Sequence, residues 1–294
     1  MKIVEKILDE KMLAAAVEAQ TKEMTEYYVY TGLAELCKDA NNAEILRSVG
    51  EAEKRHALYW QKITGIEVKP SRFAVFRNIL GARILGLTFT LKRMEKNEGT
   101  ASRKYFELAN NFPEVADFAR EEAEHEKELL NMLDEERLHY AGSVVLGLND
   151  ALVELTGSLA GFTLAFENTK TISLAGLITG ISASFSMSAS EYLSSKADND
   201  PKAAKSAVYT GFAYVITVAL LILPFLLLNE KFAALVITLA MAVFIIFIFN
   251  YYLATARDLD FKRRFGEMTF ISLGVASLSF GVGFILQKAL GVDF

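Results

Sequence analysis

The chain has 294 residues, 52% of them hydrophobic, and a formal net charge of −5. This balance offers no basic excess to neutralise phosphates, so nucleic acid is not expected as a partner. A single cysteine, Cys37, excludes a disulfide framework and CxxC metal sites. The first residues are charged and form no apolar core, so no signal peptide is expected.

Charged side chains are concentrated in the first half of the chain. They make up 46 of the first 140 residues, about a third, but only 21 of the remaining 154, about one in seven. This contrast predicts a water-soluble domain over 1–138 followed by a membrane domain over 139–294.

Helical periodicity dominates the soluble half, which shows no convincing strand pattern. We predict helix A over about 3–38 and helix B over 42–64, with a break at 65–70. Helix C follows and ends near residue 110, and helix D runs from about 113 to 138. Four helices in series predict a four-helix bundle, so the fold class is all-α throughout.

Two of these helices carry a Glu-x-x-His pair, Glu53 with His56 on helix B and Glu122 with His125 on helix D. This spacing places carboxylate and imidazole on one helix face, a turn apart. Bundles that hold two iron atoms use two such helices and single carboxylates from the other two, which predicts a dinuclear site here. The carboxylates on offer are Glu95 and Glu98 on helix C and Glu23 or Glu26 on helix A. The remaining glutamates of helix D, Glu121 among them, are expected on a solvated face.

The segment 68–94 holds six basic residues and no acidic one, interleaved with large apolar side chains. This composition is typical of a helix that lies on an anionic membrane surface. The alternative is a packing helix, either against the membrane domain or between subunits.

Five membrane spans are predicted in the second half. One, near 141–166, is apolar but contains Asp150 and Glu154; the other four lie in stretches without charge, at 171–190, 206–229, 232–256 and 268–287. Each is long enough to cross a hydrocarbon core about 30 Å thick. Eight Lys/Arg on one side against three on the other predict a cytoplasmic N-terminal domain and an external C-terminus in the cell membrane.

The first two spans carry the polar groups of interest. Asp150 and Glu154 are four residues apart on one helix, as are Met187 and Glu191 on the next, so each pair shares a face. At about 1.5 Å per residue, Asp150 and Met187 both lie roughly 12–14 Å from the cytoplasmic ends of their spans.

A carboxylate buried in a membrane costs roughly 2.5–3.5 kcal/mol and usually faces a partner, a cavity or an ion path. Carboxylate oxygens suit Mn²⁺ and Fe²⁺, and a thioether favours transition metals over Ca²⁺ or Mg²⁺, which favours a path for such cations. The same carboxylates could carry protons. The alternative is that Asp150 and Glu154 hydrogen-bond serines of the second span merely to hold the helices together.

The first half resembles the rubrerythrin/ferritin-like superfamily. The spacings Glu53-x-x-His56, Glu95-x-x-Glu98 and Glu122-x-x-His125 match that superfamily's metal ligands, and Glu23, seven residues before Tyr30, matches its helix A glutamate. The resemblance implies a dinuclear site for Fe, or for Mn. Rubrerythrins also use a CxxC-type rubredoxin module, which a chain with one cysteine lacks, so peroxidase turnover is not expected.

The second half resembles the vacuolar iron transporter (CCC1-like) family, in the motifs LGLNDALVEL around Asp150 and SMSASEYLSSK around Met187 and Glu191. The fusion resembles the membrane-bound ferritin-like proteins of prokaryotes. That resemblance implies export of Fe²⁺ or Mn²⁺ in exchange for protons by a homodimer whose path lies between the subunits. Plant-type members have a metal-binding domain between spans two and three, where this chain has only a short loop at 196–205.

Three functions are compatible with these features. The first is a metal exporter whose bundle captures metal or regulates transport, with a path through Asp150, Glu154, Met187 and Glu191. The second is a membrane-tethered di-iron oxidase that acts on Fe²⁺ with O₂ or peroxide. The third is a sensor or storage assembly.

Overall fold

The computed structural model describes residues 10–96, 112, 115–131 and 140–290, and every regular element in these ranges is an α-helix. The all-α prediction is therefore confirmed. The chain forms two compact units, Met1–Glu135 and Glu136–Phe294.

The first unit contains five described helical segments. These are α1 (Glu10–Leu36), α2 (Ala40–Thr64), α3 (Arg72–Leu85), α4 (87–96) and α5 (Val115–Asn131). Helix α1 packs along α2 and also contacts α3, while α5 contacts α2. Two apolar clusters hold these helices together, one around Val29, Leu33 and Leu46 and one around Ala16 and Trp60.

Local signals explain where α2 begins and ends. Asp39 accepts a hydrogen bond from the backbone N–H of Asn42 at 2.9 Å, which satisfies a donor that the helix leaves unpaired. Gly65 ends the helix at φ +66°, a left-handed conformation that glycine adopts without steric cost, and its N–H donates to Gln61 O.

The region predicted as one helix C is interrupted at Gly86. Its φ of +98° ends α3, and α4 starts at the next residue. Because this conformation is open mainly to glycine, the interruption is encoded by one residue that helical periodicity overlooked. The predicted end of helix C near residue 110 lies outside the described residues, as does the end of helix D beyond residue 131.

The described residues of the second unit form five helices. They are α6 (Ala141–Ala165), α7 (Thr169–Ala197), α8 (Ala203–Leu227), α9 (Lys231–Ala256) and α10 (Phe261–Leu290). All five are long and apolar enough to cross a membrane, which confirms the predicted number of spans. Helix α6 contacts each of the other four and supplies core residues such as Leu152, Leu155 and Leu159.

Glycines let the membrane helices approach one another closely. A Cβ on Gly147 would overlap the backbone oxygen of Thr210, and one on Gly180 would lie 2.6 Å from Val218 Cγ1. The Gly157/Gly161 pair faces Ser279 of α10 within the same chain. Small residues therefore set the spacing between helices here, as is common in membrane bundles.

Replacing Gly147 by alanine is expected to destabilise the membrane unit. The new methyl group would collide with backbone, which cannot rotate away, and would separate α6 from α8 where Thr210 Oγ1 donates to Ser143 O at 3.0 Å. Overpacking of this kind costs roughly 1–3 kcal/mol. Thermal unfolding in detergent should show a lower Tm for Gly147→Ala but not for the control Gly142→Ala, where a Cβ meets nothing within 4 Å. An unchanged Tm for Gly147→Ala would contradict the close packing.

Candidate metal centre and membrane carboxylates

Four potential metal ligands converge in the N-terminal unit. They are Glu23 of α1, Glu53 and His56 of α2, and Glu122 of α5, and one ligand atom from each lies within 4.8 Å of the others. The first three side chains are only 2% exposed. Three carboxylates and one imidazole in so small a space form an unusual concentration of negative charge.

The imidazole of His56 lies at the middle of this group, which we call the Glu/His cluster. Its Nδ1 atom lies 3.5 Å from Glu122 Oε1, 3.7 Å from Glu53 Oε2 and 3.9 Å from Glu23 Oε2. Ligand atoms that each bind a common metal at about 2.1 Å lie roughly 3–4 Å from one another. The spacing therefore fits a metal ion held among these side chains.

The hydrogen bonding within the cluster supports the same conclusion. Glu23 Oε2 and His56 Nδ1 are both buried and have no hydrogen-bond partner among the described residues. Leaving a buried polar atom unpaired costs roughly 1–3 kcal/mol, and more when the group is charged. A metal ion would satisfy both atoms, and carboxylate with imidazole is a donor set suited to Fe²⁺ or Mn²⁺.

The pKa shifts of these side chains indicate how the negative charge of the cluster is reduced when no metal is bound. Burial and the neighbouring Glu53 raise the pKa of Glu23 well above its ordinary value, because both disfavour its charged form. Burial lowers the pKa of His56, but the carboxylates of Glu122 and Glu23 outweigh burial and raise it overall. Burial also opposes ionisation of Glu122, yet His56 and Lys22 lower its pKa. Protonation of Glu23 and His56 is thus favoured at the place where a cation would bind.

Sequence reasoning missed one residue of this centre. Glu121, expected on a solvated face, lies with its Oε2 atom 3.2 Å from His56 Nε2, and Phe118 stacks on the same imidazole at 4.1 Å between ring centroids. A carboxylate that accepts from one ring nitrogen leaves the other free to bind metal and fixes the ring orientation. The available signal was position, because Glu121 and Phe118 precede Glu122 by one and four residues on the same helix.

Replacing Glu121 by glutamine is expected to weaken metal binding by about tenfold to a hundredfold, because the amide no longer holds the His56 ring as a charged acceptor does. Titration calorimetry with Mn²⁺ measures this directly. Asp117→Asn, an exposed change one turn earlier on α5, is the matched control and should bind like wild type. Equal affinity for both variants would mean that Glu121 does not orient the ligand.

The other predicted ligands of the bundle are not among these four. Glu26 contacts Lys22 at 3.2 Å, and Glu95 contacts Lys92 at 3.4 Å. His125 lies one turn beyond Glu122, and its Nδ1 atom is buried with no hydrogen-bond partner in the described ranges. Glu98 lies outside the described residues.

The carboxylates of the first membrane span face α8. Glu154 accepts a hydrogen bond from the hydroxyl of Tyr214 at 2.9 Å, and Tyr214 is fully buried. Asp150 lies one turn earlier on α6 and is half-buried. Glu154 is bound by a tyrosine of the third span rather than by a serine of the second. Sequence reasoning overlooked Tyr214, although a hydroxyl inside a charge-free stretch was the available signal.

The two predicted path residues of α7 have different surroundings. Glu191 accepts hydrogen bonds from Ser143 at 2.8 Å and Ser195 at 3.3 Å, which joins the first turn of α6 to the end of α7. Met187 is half-buried and packs against the apolar core of the unit. Among the described residues of the membrane unit, no three carboxylate or histidine side chains converge as they do in the Glu/His cluster.

Comparison with known proteins gives one match. Residues 141–205 match the model of the VIT family, and this region contains Asp150, Glu154, Met187 and Glu191. Searches of curated proteins and of solved structures found no match. The match covers less than a quarter of the chain, and together with the five apolar helices it supports a VIT-like membrane transporter domain in the second unit. Such a domain indicates a metal-ion transporter.

Proposed function

We propose that the protein exports Fe²⁺ or Mn²⁺ across the cytoplasmic membrane in exchange for protons. A ferritin-like N-terminal domain over 1–138 captures metal or regulates transport, and a membrane domain over 139–294 carries the ion. The observation that carries this proposal is that a cluster of three carboxylates and a histidine occurs in one chain with VIT-like spans that contain carboxylates of their own.

In the N-terminal domain, Glu23, Glu53, His56 and Glu122 hold the metal. Glu26, Glu95, Glu98 and His125 are the remaining candidates for a dinuclear site. Bound iron would supply redox chemistry if the site is catalytic. If it is not, the site would act as a sensor of metal concentration. Because a cation competes with protonation of Glu23 and His56, metal affinity depends on pH.

In the membrane domain, Asp150, Glu154, Met187 and Glu191 line the path. Glu154 is exposed on the single chain although it lies within a span, and the α7 stripe of Ser182, Ser186 and Ser190 is exposed as well. Polar groups within a span rarely face lipid. This supports a homodimer in which a second copy covers these groups and the path runs between the subunits.

The charge of the connections supports the proposed orientation in the membrane. Arg257, Lys262, Arg263 and Arg264 fall between α9 and the start of α10, on the side that the excess of basic residues assigns to the cytoplasm. The N-terminal domain then shares the compartment from which metal is removed, and the C-terminus is external.

A second function is favoured by the Glu/His cluster taken alone. A buried group of three carboxylates and a histidine also suits a membrane-tethered di-iron ferroxidase or peroxide-scavenging enzyme. A tether, however, needs no carboxylates within its spans. Asp150 and Glu154 therefore favour the exporter.

Metal flux in proteoliposomes tests the proposal. With the cytoplasmic face outward, the full-length protein is expected to take up Fe²⁺ or Mn²⁺ faster when the lumen is acidic than when no pH gradient is imposed. Protein-free liposomes and a protonophore that collapses the gradient are the controls. If neither metal is taken up while the Glu/His cluster still binds metal, the exporter is refuted and the tethered oxidase is favoured.

A further inference from the structure

Helix α3 has an apolar face that the N-terminal unit leaves uncovered. Four large apolar side chains on it are exposed in the described structure: Phe73 at 72%, Phe76 at 62%, Leu80 at 40% and Ile84 at 65%. Side chains of this size account for much of the apolar area that a 14-residue helix can present. Exposed apolar patches of this kind mark binding surfaces.

These four residues form one stripe along the helix. At about 100° per residue they fall within a sector roughly 80° wide, which we call the α3 stripe. The opposite side of α3 faces the bundle, where Val75 and Ala82 pack against the apolar core and Ile79 meets Gly32 of α1. The helix therefore has one apolar face that is used internally and another that is not.

Contacts at both ends fix the orientation of the stripe. Ser71 caps the helix by accepting from Ala74 N and is itself held through a hydrogen bond from its N–H to Thr25 of α1. Farther along, Arg93 of α4 donates to Asn78 at 2.6 Å. Because these polar contacts lie away from the stripe, α3 cannot turn its second apolar face inward without breaking them.

The charges beside the stripe identify what it binds. Arg72 and Arg83 lie along one border and Arg77 along the other, all exposed, and residues 68–94 contain no acidic side chain. Next to the stripe, a groove of about 430 Å³ is lined by Tyr28, Lys69, Pro70, Arg72, Val75 and Phe76. A bilayer surface has acyl chains beneath anionic headgroups. An apolar stripe with arginines on both borders is complementary to it, because the stripe can contact the acyl chains while the arginines contact the headgroups.

We propose that the α3 stripe docks on the surface of an anionic lipid bilayer. The aromatic side chains enter the boundary between headgroups and acyl chains, and the arginines bind lipid phosphates while their stems cover apolar surface. The same chain carries five candidate spans, so a bilayer is present at high effective concentration and a modest surface affinity suffices. The inference is independent of the metal chemistry proposed above.

Fluorescence in proteoliposomes tests this with the full-length chain. The protein has a single tryptophan, Trp60, which is fully buried and gives a constant background. Phe73→Trp, and Leu80→Trp as a second reporter, place an indole on the stripe, whereas Leu58→Trp places one on an exposed part of α2. With brominated lipids, both stripe reporters are expected to be quenched several-fold more than the Leu58→Trp control.

The charge requirement is tested with Arg72→Gln/Arg77→Gln/Arg83→Gln in the Phe73→Trp background. Each basic residue near an anionic surface changes partitioning by roughly fivefold, so quenching in phosphatidylglycerol-containing vesicles should fall strongly. The matched control is Lys38→Gln/Arg47→Gln/Lys62→Gln, which removes three exposed charges elsewhere in the unit and should leave quenching unchanged.

Three results would overturn the proposal. One is quenching of the stripe reporters no greater than that of Leu58→Trp. Another is a blue-shifted stripe signal that persists in detergent, ignores lipid composition and accompanies crosslinking of two copies, which would make the stripe a protein interface. Equal quenching in purely zwitterionic vesicles would also contradict it, because the arginines would then have no role.

Discussion

Replacing Glu53 and His56 together by alanine is expected to abolish metal binding by the Glu/His cluster. The change removes the central imidazole and one of three carboxylates, which leaves Glu23 and Glu122 on two different helices. The affinity should fall by more than about a hundredfold, beyond the loss typical when only an outer hydrogen-bonding partner is removed. Titration calorimetry and metal content after dialysis measure the effect.

The same variant is not expected to lower the thermal stability of the metal-free protein. Burial and Glu53 raise the pKa of Glu23 well above its usual range, because burial and a second carboxylate both disfavour its charged form. Removing Glu53 relieves that conflict, so the metal-free variant should unfold at the wild-type temperature or higher. Wild type should gain further stability when Mn²⁺ is added, whereas the variant should not.

Glu51→Ala/Lys54→Ala is the matched control for this pair of changes. It removes an exposed ion pair of 3.7 Å on the same helix, together with the contact of Lys54 with Tyr27, and is expected to bind metal like wild type. Full metal binding by the Glu53→Ala/His56→Ala variant would mean that the metal site lies elsewhere in the protein. In the flux assay, the same variant should transport less metal or lose its response to metal concentration, as capture or regulation by the bundle requires.

Replacing Asp150 by alanine is expected to abolish metal flux. This carboxylate lies within the first span, in the region that matches the VIT family, one turn from the Glu154–Tyr214 hydrogen bond. A cation that crosses the bilayer needs ligands that replace its water, and neutral apolar side chains cannot supply them. Uptake in proteoliposomes should fall more than about tenfold, since a tenfold change corresponds to only about 1.4 kcal/mol.

Misfolding is not expected to explain the loss of flux in Asp150→Ala. Because a charged side chain in a span is unfavourable by roughly 2.5–3.5 kcal/mol, its removal should not reduce insertion or thermal stability. Asp150→Asn retains size and polarity and tests whether the charge itself is required. Asp198→Ala, in the exposed loop after α7, is the control and should transport normally. Intact flux in Asp150→Ala would exclude this residue from the path.

Much of the architecture follows from the sequence alone, since it depends on local rules. Four charge-free stretches and one apolar stretch that contains Asp150 and Glu154, all of membrane length, predict the five spans, because only helices satisfy their backbone within lipid. Glu53 and His56 share a face because residues three apart are neighbours on any α-helix. The membrane carboxylates stand out in the sequence because charged residues are costly, and therefore rare, within a span.

Other features depend on packing between helices. Glu23 and Glu26 are three residues apart and equally plausible from spacing, yet Glu23 reaches His56 while Glu26 contacts Lys22. The position of Glu121 next to Glu122 was a signal, but only the packing of α5 beside α2 decides which glutamates of this helix reach His56. Likewise, the partner of Glu154 lies sixty residues away on α8. Local sequence determined helices and faces, whereas tertiary contacts decided which side chains meet, because the distances between helices depend on the whole core.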